Sequence, residues 1–119
     1  MDQSPDTILD KMKSHFLSID NELRSFDVAA LGITIYYRPT ANCAQTDKYL
    51  PEMRAGKMEG YVQLLLTRAL NERGGKVFQP EDAHELRVNC DPSIISDIGN
   101  KILGADEEAR QEAQETAKK

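Results

Sequence analysis

The chain has no tryptophan, only two cysteines, and no apolar run approaching the length of a membrane helix. Each shortage excludes something. Without Trp, a core must be built from Leu, Ile, Val and Met, helped by four Tyr and three Phe. Cys43 and Cys90 are too few for a disulfide framework, and 119 residues can bury a core without a staple. The opening run MDQSPD is polar and lacks the apolar segment of a secretory signal, so free thiols in a reducing cytoplasm are expected. A membrane span needs about 20 consecutive apolar residues, and none is present, so no membrane partner is expected. Positive charge is scarce as well. Fifteen Lys and Arg stand against twenty Asp and Glu, a net charge of −5, which argues against nucleic acid as a partner.

What remains is a chain with 39% hydrophobic and 29% charged residues, enough for one domain. Ser4, Pro5 and Asp6 supply a cap, a first-position proline and a first-turn anion. The helix they begin carries Ile8, Leu9, Met12, Phe16 and Ile19 near one face. FDVAALG reads as Asp27 capping a single turn that ends at Gly32. ITIYYR, at 33–38, is β-branched and aromatic and stops at Pro39, which predicts a strand. A strand of six residues needs a partner for its backbone, and the obvious internal one is KVF at 76–78.

Residues 40–57 read as a long polar loop with a turn of helix around 49–54. Met58, Tyr61, Val62, Leu65, Leu66, Ala69 and Leu70 then form an apolar helical stripe, with Leu64 off its main face and Gly74 as its left-handed cap. Asp91 and Pro92 open the next helix, whose Ile94, Ile95, Ile98 and Ile102 make a stripe that Gly104 is expected to stop. Beyond it, ADEEARQEAQETAKK has helix-forming composition but no large apolar residue, which predicts a frayed helix or a disordered tail. The expected fold is mainly α. A small helical domain at 1–104 carries one short strand or β-hairpin element at 33–38, paired with 76–78, and a polar tail follows at 105–119.

GGKVFQPEDAHEL, at 74–86, has the residue types of an active-site loop but not the spacing. A phosphate loop requires Gly-x-x-x-x-Gly-Lys-Ser/Thr between strand and helix, whereas Gly-Gly-Lys here follows a helix and precedes Val77. His84-Glu85 lacks the second histidine of a zinc-protease helix, and His84 with Cys90 gives too few metal ligands. The segment reads as turn and cap chemistry: Val77 and Phe78 enter the core, Pro80, Glu81 and Asp82 start a short helix, and Ala83 and Leu86 face in while His84 and Glu85 face solvent. His15 reads as a surface histidine. No catalytic residue, cofactor or metal is assigned. One enzymatic alternative would use Cys43 as a nucleophile, with Asn42 and Gln45 as polarising groups. The candidates for partner binding or self-association are Tyr36 and Arg38 at the strand end, and Tyr61, Leu65, Ile95 and Ile98 on the two stripes. Grooves between the 58–70 and 92–103 helices, and the edge of strand 33–38, are the expected docking places.

The order of these segments resembles a known family. LGITIYYRP, a polar loop, a long helix, GGKVFQPEDAHEL and the isoleucine-rich DPSIISDIGNKIL together look like the tail assembly chaperones of long-tailed, non-contractile bacteriophages, over roughly residues 26–103. Gln79 departs from the pattern, which implies a Ser, Thr or Asp cap at that place. The resemblance implies a protein that coats the tape measure protein during tail assembly in the host cytoplasm and is absent from the finished virion. It implies self-association, and a longer frameshifted product that recruits the tail tube protein; Lys118-Lys119 is compatible with an A-rich slippery sequence. The other reading open to an acidic helical chain is an adaptor or inhibitor of a different protein partner.

Overall fold

A computed structural model describes residues 5–20 and 22–118. Within them the chain is mainly helical with one antiparallel hairpin, as the composition and periodicity predict. In chain order the elements are α1 (Pro5–Ile19), β1 (Arg24–Val28), β2 (Ile33–Tyr37), α2 (Cys43–Thr46), α3 (Leu50–Arg54), α4 (Met58–Arg68), a 3-10 turn (Pro80–Asp82), α5 (Ala83–Val88) and α6 (Pro92–Lys118). The molecule measures 58 × 26 × 25 Å. Its long dimension reflects α6, whose 27 residues reach about 40 Å at 1.5 Å per residue. Ser4, expected to cap α1, lies outside the described residues, but α1 does begin at Pro5.

The hairpin corrects the expected strand pairing. Residues 24–28 are a strand, and Asp27 lies within it, opposite Thr34, instead of capping a turn. The reversal is made by Ala29–Gly32: the amides of Leu31 and Gly32 both donate to the carbonyl of Val28, at 3.0 and 2.9 Å, and Gly32 takes φ +65°. β1 was hard to see because its buried side is shared among Arg24, Phe26 and Val28, with Ser25 and Asp27 outward. On the other side of β2, Tyr36 exchanges two backbone hydrogen bonds with Leu70 (3.0 and 2.8 Å), and Leu70 in turn bridges Lys76. Residue 76 therefore pairs with 70, not with 33–38. Strand 33–38, expected to offer a free edge, is paired on its outer side at Tyr36 alone.

α4 also ends earlier than its stripe suggested. Ala69 leaves the helix with φ −76° and ψ 125°, carrying Leu70 to β2. Gly74, at φ +83°, shapes the tight turn between 70 and 76, where the Asn71 carboxamide oxygen accepts from the amides of Arg73 and Gly75. Leu64, expected off the main face, is fully buried. Gly99 of α6 makes room for it: a Cβ there would come within 2.6 Å of the Tyr61 ring and 3.0 Å of Leu64 Cδ2. Gly60 plays the same part between α3 and α4, since a Cβ would meet the Met53 backbone nitrogen at 2.6 Å.

Most of the core lies between the hairpin, α4, α5 and the first half of α6: Val28, Ile35, Tyr37, Val62, Leu65, Leu86, Ile95, Ile98 and Ile102. Phe78 packs against it, whereas Val77, expected inside, is 40% exposed. Gly104 does not stop α6, which continues to Lys118. The tail has a buried face after all, made of small or paired residues, Ala105, Asp106 and Ala109. Three contacts align β1 along this part of α6. Lys101 Nζ sits 5.3 Å from the centre of the Phe26 ring, the same ammonium donates to the Asp27 carbonyl at 3.4 Å, and Arg24 meets Glu112 at 3.4 Å.

Candidate protein-docking surface

The first feature of the surface is α1. At 100° per residue, Ile8, Leu9, Met12, Phe16 and Ile19 share one face, with Leu17 beside it. Only the C-terminal end of that face is covered: Ile19 is buried and Phe16 half-buried. Ile8, Leu9, Met12 and Leu17 are 56%, 49%, 65% and 63% exposed. Four large apolar side chains at helical spacing form the kind of patch that soluble monomers rarely leave uncovered.

Two grooves flank the first half of α6. One, of about 380 Å³, lies between the hairpin turn and α6; Val28, Ala29, Ala30, Ile94 and Ile98 line it, with Asp97, Asn100 and Lys101. Leu31 and Ile33, both exposed, belong to the same hairpin tip. The second, of about 270 Å³, lies among α4, α5 and the start of α6, lined by Met58, Val62, Leu86, Cys90, Pro92 and Ile95. This is the expected place between the 58–70 and 92–103 helices. Glu59 and Arg87 also line it and form a two-bonded ion pair, Nε to Oε1 at 2.6 Å and the terminal nitrogen to Oε2 at 2.7 Å. Hydrogen bonding from Arg87, opposed by desolvation and assisted by Gln63, lowers the Glu59 pKa to about 2.

The six candidate residues divide between surface and core. Tyr36 is half-buried on the hairpin's outer side, and Arg38 is exposed just beyond β2. Tyr61 is half-buried and donates from its hydroxyl to Asn100 Oδ1 at 2.8 Å, which holds α4 to α6. Leu65, Ile95 and Ile98 are core residues. Ile95 and Ile98 reach the grooves only as nearly covered floor, and Leu65 packs inside. A helical stripe cannot by itself distinguish a side that meets its own chain from one that meets another.

Arg68 and Asp106 were missed in the sequence. Both terminal guanidinium nitrogens of Arg68 donate to the Asp106 carboxylate, at 2.9 and 2.7 Å, while one also donates to the Tyr49 hydroxyl (3.2 Å) and the other to the Arg38 carbonyl (2.8 Å). The group thus joins α4, α6, the end of β2 and the segment before α3. Burial works against the guanidinium's charge, but Asp106 and Tyr49 more than offset it, and the Arg68 pKa is raised. A signal was present: Arg68 continues the 61–65 face of α4, and Asp106 the 95–102 face of α6. Opposite charges at core positions of two helices imply a buried pair.

The other chemical candidates have structural places. Asn42 and Gln45 cap α2 reciprocally, the Gln45 amide donating to Asn42 Oδ1 at 2.8 Å and the Asn42 amide to Gln45 Oε1 at 3.0 Å. Cys43 and Cys90 are exposed free thiols. His84 and Glu85 face solvent while Ala83 and Leu86 face in, as expected. The Gln79 amide donates to the Asp82 carboxylate at 2.7 Å, so the helix start is capped from its third residue. Among the described residues there is no cluster of three or more metal-ligating side chains, and no helix is long and apolar enough to cross a membrane. No protein-family model, curated protein or solved structure matches this chain.

Proposed function

We propose that this chain is a tail assembly chaperone of a long-tailed bacteriophage, working in the host cytoplasm by binding the tape measure protein and keeping it soluble. The observation that carries the reading is α1, an amphipathic helix fastened at one end with its apolar side chains exposed. The grooves beside α6 add apolar floors with charged rims, suited to the side chains of a helical client. The net charge of −5 favours solubility of the complex. Self-association and recruitment of the tail tube protein by a longer product are part of the same proposal, drawn from the family resemblance.

Co-expression with the tape measure protein of the same phage, followed by pull-down and a sedimentation assay, tests it. The expected result is a soluble client recovered with this chain. A client that stays insoluble and unbound while this chain expresses well sinks the proposal and leaves an acidic helical adaptor of another partner.

A further inference from the structure

Asp20 follows α1 and closes it, its amide donating to the Phe16 carbonyl at 2.8 Å. Its Oδ1 is buried, and among the described residues it has no hydrogen-bond partner. A carboxylate oxygen can only accept, so its partner must be a donor. Buried polar atoms with no protein partner are where internal waters are found. Asp20 lines a cavity of about 60 Å³ together with Arg38, Thr40, Gln45, Thr67, Arg68 and Leu70. Water takes roughly 30 Å³ in the liquid, so this space suits one or two molecules. Six of its seven lining residues carry polar side chains, which can supply the two to four partners that an ordered water needs. Thr40 and Thr67 are themselves buried. Arg38 and Arg68 among the lining residues disfavour a cation, and Asp20 disfavours an anion.

We propose that this cavity is a water-binding site in which ordered water donates to Asp20 Oδ1 and is held by the threonine hydroxyls or Arg38. The water fastens the end of α1 to the Arg68 hub. It is a joint separate from the apolar docking face, and it does not depend on what that face binds.

The test is water-to-protein nuclear Overhauser measurement on the full chain, with a crystal structure of the same protein. Long-lived water cross-peaks to Thr40 and Thr67 are expected, with water density within hydrogen-bond distance of Asp20 Oδ1. Asp20→Leu should abolish the cross-peaks and speed amide exchange in the last turn of α1 by about fivefold, the equivalent of one net hydrogen bond. Absence of the cross-peaks in the wild-type chain overturns the proposal. So does a crystal structure in which Asp20 pairs directly with Arg38 or turns to solvent, a readout that stands even if Asp20→Leu fails to fold.

Discussion

α1 and α6 are both amphipathic helices, yet they end in opposite circumstances. The stripe of α6 is covered by α4 and the hairpin, and it continues past the last isoleucine through Ala105, Asp106 and Ala109. The stripe of α1 is covered at Ile19 and exposed at Ile8, Leu9 and Met12. Hydrophobic periodicity states that a face will be buried, and it says nothing of what buries it. In α6 the cover is in the same chain; for α1 the proposal places it in another protein.

The largest effect should come from removing the charge that locks α6 to α4. Arg68→Ala leaves Asp106 buried without its cation and should cost about 3–5 kcal/mol in urea denaturation. Replacing the pair with Met and Leu should recover much of that loss, because an apolar pair avoids stranding a charge. An Arg68→Ala chain as stable as wild type would show that the hub does not hold the body together.

Gly99→Ala comes next. The added methyl collides with the Tyr61 ring across the α4–α6 contact, and a loss of about 1–3 kcal/mol in thermal melting is expected. An unchanged melting temperature would mean that the two helices can separate slightly without penalty.

Met12→Ser sharpens the contrast from the other side. Exposed on α1, it should change stability by no more than about 0.5 kcal/mol while weakening the proposed capture of the tape measure protein. A large loss of stability would show that α1 is covered within its own chain in solution.

The smallest effect belongs to Glu59 and Arg87 on the groove rim. The Glu59 pKa falls from 4.5 to about 2 on folding, so the pair's contribution is present above pH 4.5 and disappears as pH falls towards 2. Glu59→Gln should therefore be slightly less stable than wild type at neutral pH and equal to it near pH 2, by melting curves across that range. A difference that persists at pH 2 would point to packing in place of charge.

Much of this fold was legible from local chemistry. Asp91 and Pro92 do start α6, with the Asp91 carboxylate accepting from the Ser93 amide at 2.9 Å. Pro80 and Asp82 start the turn before α5, and the 33–37 strand is where its β-branched residues put it. Such features depend on dihedral preference and on hydrogen bonds spanning a few residues, so neighbouring residues suffice to specify them. The candidate docking surface was less legible, because exposure is a property of the assembled body. Ile94, Ile95 and Ile98 of α6 have the same spacing as Ile8, Leu9 and Met12 of α1, and only packing separated core from surface.

By itself, then, the sequence determined α1, α3, α4, α5 and α6 and their starts, the 33–37 strand and the absence of long apolar or strongly basic segments, whereas α2 lies within what reads as a polar loop. Tertiary structure decided that 24–28 pairs with 33–37, that Leu70 lies between β2 and Lys76, and that α6 runs through Gly104. The physical reason is range. A glycine's cost or a cap's hydrogen bond acts within a turn, whereas the partners of Phe26, Arg68 and Asp106 lie across the fold, and no local pattern specifies which distant group will meet them.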